Sequence, residues 1–564
     1  MLISFYPRIR IFYPYASKHR ILHIFTFISV PIMNNKIKTR LFLSGTLLLS
    51  IFSFKTVDEK ERCDLAADLD RSARKYLINI WYPKALDTLY GGYLSTFNYK
   101  FEPSEPQNKM IVTQSRHIWS NAKAAIFFKD STYKKFAAHG LTFLRDKMWD
   151  KTYGGFYTLV DRQGNAEKFG SQKDSYGNAF AIYALAAYYQ ASGDTSALNL
   201  AKSTFWWLEK NSHDRKDKGY FQHLSREGVP IKRTASTPST SELGYKDQNS
   251  SIHLLEAFTE LYTVWPNPLL RDRLREMFYL VRDKITTPQG YLTLFFQPDW
   301  TPVSTRDSSY TSILKHRGLD HVSFGHDIET AYLLIEASHI LGLKDHAATI
   351  QKGKVMVDHA LKSGYDYKLG GFYDEGYYFK DKPGISIILD TKNWWAQAEG
   401  MNTLLLMSEH FPNDKLDYYG KFKQMWTYID TYLIDKEHGD WYMGGIDKQP
   451  EMKTALKGQI WKGSYHNFRA LMNCITRLKP DHIAPLTPGS AKIHVNTSQT
   501  VLSWSKSTDN QNLIGYNIYE GDKRIGFSPL SSFQIEGFKR GNAYSVKAVD
   551  FYGNQSSARI ATSN

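Results

Sequence analysis

Three histidines near predicted helix starts each have a charged residue three positions later: His253 with Glu256, His326 with Glu329, and His466 with Arg469. In a helix this spacing places both side chains on one face, one turn apart. A carboxylate beside an imidazole raises its pKa and fixes its orientation, which suits a residue that transfers protons. Any one pair is also typical of a capped helix with a surface contact. Three pairs at equivalent points of a repeat favour a functional site.

The elements that must position these histidines recur between about residues 64 and 478. The marker is a short hairpin in which glycine adjoins an aromatic residue, and it occurs six times, roughly 63 to 80 residues apart, at 90–93, 153–156, 218–221, 289–291, 369–372 and 438–441. Each interval between hairpins contains about two amphipathic helical patterns. Six such units without a polar capping repeat predict a closed (α/α)6 barrel, a toroid of alternating inner and outer helices. An irregular all-helical array is the alternative.

Each hairpin is followed by a helix start that has polar or aromatic residues on an otherwise apolar face. In a toroid the inner helices run in one direction, so their N-terminal ends meet at one mouth of the barrel. We therefore expect the six starts to converge on one pocket. The candidate residues are Arg116; Tyr176 and Asn178; Asn249, His253 and Glu256; His326 and Glu329; Trp395 and Glu399; and Trp461, His466 and Arg469.

The residue types indicate acid–base chemistry at carbon. The sequence has no clustered metal signature, no glycine-rich phosphate loop and no nucleophile elbow. Imidazole titrates near neutrality and can both take and return a proton. Several imidazoles with a guanidinium and aromatic planes suit a neutral, polar substrate. The indoles of Trp395, Trp441 and Trp461 suit stacking on sugar rings, with burial in the core as the alternative for each.

The basic charge of the chain is concentrated at its start. The net charge is +15, and the first 40 residues contribute seven Lys or Arg and no acidic residue, which argues against a nucleic-acid partner. The apolar run 41–54 follows this basic segment and has the length of a signal-peptide h-region. We expect residues 1–62 to direct export to the periplasm or outside the cell, with translation starting at Met1 or Met33. An uncleaved membrane anchor is the alternative.

Only two cysteines occur, Cys63 and Cys474, so no disulfide framework or metal–thiolate site is available. Cys63 and Cys474 can pair only if the first and last helices lie side by side.

The sequence changes character after Lys479-Pro480. A proline-containing linker is followed by short alternating runs, which predict a small all-β sandwich at 480–564 after a helical domain at 63–479. Trp504, Tyr516 and the run 544–550 resemble a fibronectin type III module over about residues 484–563. Such modules on exported carbohydrate enzymes serve as spacers or adhesion domains, so the resemblance implies contact with glycans or a cell surface.

The helical domain also resembles a known family, the N-acylglucosamine 2-epimerase superfamily, and within it the cellobiose/mannobiose 2-epimerase branch. The resemblance extends over roughly residues 65–478. Its motifs are Arg116, Asn249-x-x-x-His253-x-x-Glu256, Gly325-His326-Asp327-Ile328-Glu329, Trp394-Trp395-x-Gln397-Ala398-Glu399 and Trp461-Lys462-x-x-Tyr465-His466-x-x-Arg469. Gly463-Ser464 stands where the family usually has Cys-Pro. The family has the (α/α)6 barrel.

The resemblance implies epimerisation at C2 of the reducing-end aldose of a β-1,4-linked disaccharide, without a cofactor or metal. His326 and His466 would exchange the C2 proton through a cis-enediol, and His253 with Arg116 would stabilise its oxygens. Glu329 and Glu399 would orient the histidines or bind hydroxyls, while Trp395, Trp441 and Trp461 would stack on sugar rings. The alternatives are an aldose–ketose isomerase of the same superfamily, a glycoside hydrolase or lyase on the same toroid, and a non-catalytic glycan-binding protein.

Overall fold

The structure, a computed structural model, describes residues 58–496 and 499–563. The predicted h-region at 41–54 lies outside these residues. The helices are α1 Glu59–Ser72, α2 Ile111–Phe127, α3 Ser131–Phe143, α4 Ser175–Ser192, α5 Thr195–Asn211, α6 Gln248–Val264, α7 Pro268–Tyr279, α8 Tyr310–Asp320, α9 Phe324–Leu341, α10 His346–Gly364, α11 Trp394–His410, α12 Tyr418–Tyr432 and α13 Tyr465–Leu478. In the described residues no helix combines the length and apolar character needed to cross a membrane.

Six of these helices form an inner ring in the order α2, α4, α6, α9, α11 and α13. Each contacts the next, and α13 contacts α2, which closes the ring. The inner helices are buried on nearly every side, as in α4, where every residue from Ser175 to Gln190 is buried. Such all-round apolar character is expected of helices that other elements enclose. The helices α1, α3, α5, α7, α10 and α12 lie outside, as the six-hairpin repeat predicted.

The hairpins are tied to the inner helices by side chains of the first helical turn. The amide of Gln114 accepts from and donates to the backbone of Tyr93, both at 2.8 Å. The equivalent contacts run from Asn178 to Phe156, from Asp327 to Leu292, and from Gln397 to Phe372. Because each contact joins a helix start to the preceding hairpin, these contacts fix where four of the six inner helices begin.

A buried lysine–aspartate pair joins five of the six hairpins to a segment near the next helix. The ammonium–carboxylate distances are 2.7–2.9 Å, and every lysine also donates to a hairpin carbonyl. These pairs are Lys109–Asp87, Lys173–Asp150, Lys246–Asp214, Lys392–Asp366 and Lys457–Asp435. The fourth hairpin has Thr287 at the aspartate position and Val322 at the lysine position. Removing one partner of a buried, hydrogen-bonded ion pair strongly destabilises a protein, because the remaining charge is left without compensation.

Short strands accompany the hairpins, and longer ones follow the helical part. The short strands pair as β1 Lys109–Met110 with β2 Leu159–Val160, β3 Lys173–Asp174 with β4 His223–Leu224, β5 Lys246–Asp247 with β6 Phe295–Phe296, and β7 Val322–Ser323 with β8 Glu375–Tyr377 and β9 Ser386–Leu389. The later strands are β10 Ala491–Val495, β11 Thr500–Trp504, β12 Leu513–Glu520, β13 Lys523–Ser528, β14 Ser532–Ile535, β15 Tyr544–Asp550, β16 Arg559–Ile560 and β17 Thr562–Ser563.

The later strands form two four-stranded sheets, in the orders β14-β11-β10-β17 and β13-β12-β15-β16. Both sheets contribute to one cluster of buried side chains, in which Trp504 of the first contacts Tyr516 of the second at 5.1 Å between ring centroids. Apart from β10 with β17, all the pairings are antiparallel. The described residues after Lys479 therefore form strands and connecting loops.

The C-terminal sheets are docked on the barrel at the C-terminal ends of the inner helices. Arg524 donates to the carbonyls of Tyr262 and Thr263, at 2.8 and 3.1 Å, where α6 ends. Phe551 lies 5.5 Å from Phe127 at the end of α2. The last carbonyls of a helix have no partner within it, and cations interact favourably with them. The C-terminal part thus covers the end of the barrel that is opposite the helix starts.

The two cysteines are free thiols. Cys63 lies exposed on α1, whereas Cys474 is buried in α13. The first and last helices do pack side by side, but the two thiols do not pair.

Candidate active site

A cavity of about 150 Å³ lies at the N-terminal ends of the inner helices. Every inner helix, or the segment just before it, contributes to its wall, so the six helix starts do converge on one pocket. The lining residues are Arg116, Tyr176, Asn249, His253, His326, Glu329, Trp394, Trp395, Trp461 and His466.

Two of the three lining histidines are held by buried carboxylates. The Nδ1 atom of His253 lies 2.7 Å from Oε2 of Glu256, one turn along α6. The Nδ1 atom of His466 lies 2.8 Å from Oε1 of Glu399, which comes from α11. An ionised carboxylate only accepts hydrogen bonds, so an ionised Glu256 holds the proton of the His253 imidazole on Nδ1 and leaves its Nε2 lone pair available.

The third histidine has a different partner from the one its spacing predicted. The Nδ1 atom of His326 lies 2.7 Å from the hydroxyl of Ser323, which immediately precedes α9. Glu329 instead forms an ion pair with Arg469 and lies 3.9 Å from Nδ1 of His466. A full guanidinium charge attracts the carboxylate more strongly than a neutral imidazole does. The predicted His326–Glu329 and His466–Arg469 contacts are therefore wrong.

Arg469 lies beneath the cavity and does not line it. It is fully buried in α13 and forms ion pairs with Glu256, Glu329 and Glu399, which belong to three other helices. Tyr465 donates to Glu256 at 2.6 Å. Glu399 orients His466, which is one of the two roles predicted for it. Glu256 and Arg469 were predicted to bind the sugar, but they do not line the cavity and belong to this buried network instead.

The network sets the protonation of its carboxyl groups. Burial raises the pKa of Glu256, but Arg469 and His253 outweigh burial and lower it to about 2. Burial raises the pKa of Glu399 to about 8, since Arg469 only partly offsets it and the charge of Glu329 adds to it. Glu256 is therefore ionised at neutral pH, while Glu399 is close to its titration point.

Burial keeps two of the histidines neutral. It lowers the pKa of His326 to about 3, with small contributions from His253 and His321. It also holds the pKa of His466 well below the ordinary value of 6.5, together with the charges of Arg116 and Arg469. Both imidazoles therefore present a free lone pair at neutral pH, as a general base requires.

Arg116 provides a positive charge at the wall of the cavity. Its guanidinium donates to the hydroxyl of Tyr176 at 3.1 Å and to the carbonyl of Trp461 at 3.2 Å. It also stacks on the ring of Phe180, with 4.5 Å between the guanidinium carbon and the ring centroid. Because these contacts fix the guanidinium, it is preorganised to stabilise negative charge on a bound oxygen.

The indole of Trp395 lies next to His326 and His466. Its ring centroid lies 4.6 Å from that of His326 and 5.8 Å from that of His466. The ring can approach because position 325 is glycine: an added Cβ would lie 2.7 Å from the Cη2 atom of Trp395. Trp461 lies at the rim and is 46% exposed, so it has free surface for a ligand.

Two residues predicted to contact sugar do not reach the cavity. Asn178 is fully buried and holds the hairpin at Phe156. Trp441 is fully buried in the core, within the sixth hairpin. Conversely, the prediction missed Ser323 and Trp394, although both lie inside recognisable motifs. Ser323 stands at the N-cap of α9, three residues before His326, and this spacing is the sequence signal that could have identified it.

One group of side chains at the site has the spacing of a metal centre. Glu329, Glu399 and His466 offer ligand atoms within 4.8 Å of one another. The guanidinium of Arg469 already bridges the two carboxylates. A second cation there would face this positive charge, so the donor set fits the guanidinium better than a metal ion.

A sequence profile of the N-acylglucosamine 2-epimerase family matches residues 92–470. The chain belongs to this family. The cellobiose 2-epimerase of Ruminococcus albus is 30% identical over 421 residues, which is 73% of this chain and 99% of that protein. The D-mannose isomerase of Marinomonas mediterranea is 24% identical over 404 residues, 71% of this chain and 94% of its own length. The structure of the cellobiose 2-epimerase from Bacillus thermoamylovorans B4167 covers 74% of this chain and 100% of its own, with a TM-score of 0.64 and 26% identity.

The matched residues include all the side chains that line the cavity. The match extends over the helical part and leaves the C-terminal sheets outside. The family is thus one of carbohydrate epimerases and isomerases.

Proposed function

We propose that this protein is a sugar 2-epimerase that interconverts glucose and mannose at the reducing end of a β-1,4-linked disaccharide. The observation that carries the proposal is the placement of His326 and His466 on one cavity. They come from α9 and α13, the two neighbours of α11 in the ring, and both contact Trp395 of α11. Two imidazoles beside one aromatic ring fit proton removal by one and proton return by the other at a single carbon.

In this mechanism the sugar ring opens, and one imidazole removes the C2 proton while the electron pair of that bond forms the enediolate. The second imidazole, which carries a proton on Nε2 when this step begins, then delivers that proton to C2 from the other face and so inverts its configuration. The proton taken from C2 stays on the first imidazole until it exchanges with solvent. Negative charge develops on the oxygens of C1 and C2, where Arg116 and His253 would stabilise it. Both steps are reversible, so each imidazole serves as base in one direction and as acid in the other.

The size of the cavity favours a substrate whose reducing-end sugar enters first. Its volume of about 150 Å³ is below the 300–1,000 Å³ typical of sites for drug-sized ligands. One sugar residue would lie among the histidines, and the next would extend past the exposed face of Trp461.

The second candidate is an aldose–ketose isomerase, in which the same enediolate receives its proton at C1. The D-mannose isomerase relative favours keeping this candidate. Hydrolysis is less well supported, because it generally uses two carboxylates that flank the bond. Glu329 is the only acidic residue among those that line the cavity.

The test is incubation with cellobiose, mannobiose and free hexoses in D2O, followed by NMR. We expect deuterium at C2 together with the epimeric disaccharide. A ketose product would support the isomerase instead. Substrates that stay unchanged across the panel would refute both, and tight binding without deuterium uptake would indicate a glycan-binding protein.

We also propose that the C-terminal part is a fibronectin type III-like sandwich and that the protein is exported. The strand orders of its two sheets and the Trp504–Tyr516 contact in their shared core support the first. The basic segment followed by the apolar run 41–54 supports the second. Cell fractionation and N-terminal sequencing of the mature protein test export, and full-length protein in the cytoplasm would refute it.

A further inference from the structure

The two histidines assigned to proton transfer differ in the group bound to Nδ1. His466 is held by the carboxylate of Glu399 at 2.8 Å, whereas His326 is held by the hydroxyl of Ser323 at 2.7 Å. Ser323 is buried, and Nδ1 of His326 is the contact found for its hydroxyl. The two proton-transfer groups are therefore built differently.

The difference has a chemical consequence. A carboxylate accepts a hydrogen bond only and stabilises the imidazolium by its charge. A serine hydroxyl can donate or accept, so it satisfies Nδ1 of His326 in either tautomer without adding charge. Because Nδ1 is occupied, only Nε2 of His326 remains for the substrate. The hydroxyl thus fixes the ring while leaving the proton affinity of the imidazole low.

We propose that Ser323 is the positioning residue of His326 and that it acts on one half of the epimerisation only. The inference rests on the proposed function. His326 removes the C2 proton from one epimer, and His466 removes it from the other. Loss of the Ser323 hydroxyl therefore impairs proton removal from the epimer that His326 serves, while His466 with Glu399 continues to exchange the proton of the other epimer.

The charged and titratable groups around His326 come from several elements. His253 on α6, Glu329 on α9 and His466 on α13 line the same cavity, together with Arg116 on α2. His321, just before β7, also acts on the imidazole electrostatically. In the described residues none of these groups has a hydrogen bond to Nδ1 of His326, so the orientation of the ring depends on the hydrogen bond between Nδ1 and the Ser323 hydroxyl.

The test compares Ser323→Ala with Ser323→Thr, which restores a hydroxyl. Exchange of the C2 proton with D2O is measured by NMR, starting separately from cellobiose and from its epimer. For Ser323→Ala we expect exchange from one epimer to fall by roughly 10- to 100-fold, the loss that misplacement of a reacting group causes. Exchange from the other epimer should fall much less, and Ser323→Thr should recover most of the loss.

Two further variants make the comparison decisive. Glu399→Gln, which alters the partner of His466, should impair exchange from the opposite epimer. Ser338→Ala is the matched control, because its hydroxyl also lies 2.7 Å from a histidine Nδ1, that of His346, but far along α9 from the cavity. We expect Ser338→Ala to exchange both epimers at the wild-type rate.

An equal loss of exchange from both epimers in a folded Ser323→Ala protein would overturn the inference, as would no loss from either. Folding is checked by circular dichroism and by the thermal melting temperature. If Ser323→Ala does not fold, the Ser323→Thr and Glu399→Gln profiles still decide, because equal effects on both epimers contradict a division of labour. A wild-type protein that exchanges no C2 proton overturns the proposed function and this inference with it.

Discussion

Replacing Arg469 by methionine should destabilise the protein strongly, and more at neutral than at acidic pH. The guanidinium is fully buried and forms ion pairs with Glu256, Glu329 and Glu399. Removing one partner of a buried ion pair typically costs about 3–5 kcal/mol, because the remaining charge is left without compensation. Here three carboxylates lose their shared cation, so we expect the upper part of this range.

The pKa of Glu256 gives a second estimate of this loss in the free energy of unfolding. A carboxyl whose pKa falls from 4.5 to about 2 on folding contributes about 3 kcal/mol to the free energy of unfolding at neutral pH. Its pKa is depressed in the folded state, so this stabilisation is present above pH 4.5 and is lost as the pH falls towards 2. At pH 3.5 about 2 kcal/mol would remain. The difference between wild type and Arg469→Met should therefore narrow on acidification.

Differential scanning calorimetry of both proteins from pH 7 to pH 3.5 measures this difference. We expect the variant to melt about 4–6 °C below the wild type at pH 7 and closer to it at pH 3.5. Combining the substitution with Glu399→Gln should cost less than the two single losses together, because one buried charge disappears. If Arg469→Met does not fold, Arg469→Lys keeps the charge without the planar fork. A melting difference that is constant with pH would refute the reasoning.

Three further predictions follow from the cavity and from the docked sheets. Trp461→Ala should raise KM about tenfold with kcat nearly unchanged, because this exposed indole would bind substrate and transition state alike; a large fall in kcat would contradict that role. Gly325→Ala should lower kcat/KM at least about tenfold in a folded protein, because its Cβ displaces the ring of Trp395. Arg524→Met should lower the free energy of unfolding by about 1–3 kcal/mol without changing kcat/KM, since its partners lie at the far end of α6. Calorimetry and steady-state kinetics check all three.

The ring of helices could be predicted from the sequence because its signals are local. Each hairpin requires glycine beside an aromatic residue, as at Gly154 and Gly155, which both have positive φ. The helices between them show apolar periodicity over many residues. Since inner helices of a toroid run in one direction, the convergence of residues as distant as Arg116 and His466 followed from topology alone.

The partners of the polar side chains could not be predicted in this way. The i+3 spacing identified Glu256 for His253, because both lie on one helix. It failed for Glu329, whose partner Arg469 lies 140 positions away on another helix. Likewise, Asn178 and Tyr176 share the first turn of α4, but only Tyr176 faces the cavity, since two residues differ by about 200° around a helix axis.

The position of the C-terminal part could not be predicted from the sequence. The resemblance to a fibronectin type III module implied a spacer or adhesion domain, and the structure adds that the sheets are packed on the barrel through Arg524 and the Phe551–Phe127 contact. A 17-residue helix is about 25 Å long, so this interface lies far from the cavity at the other end of α6. The docked sheets can therefore stabilise the barrel without obstructing the entry of a sugar.

The arrangement of the histidines separates their proton affinities. One guanidinium joins Glu256 and Glu399, the partners of His253 and His466, so a proton gained by one imidazole changes the field at the other. His326 lies outside this network, with Ser323 as its partner. A two-base reaction needs one imidazole to carry a proton while the other does not. Of the two imidazoles, only that of His466 is joined to the charged network around Arg469. This asymmetry is present before any substrate binds.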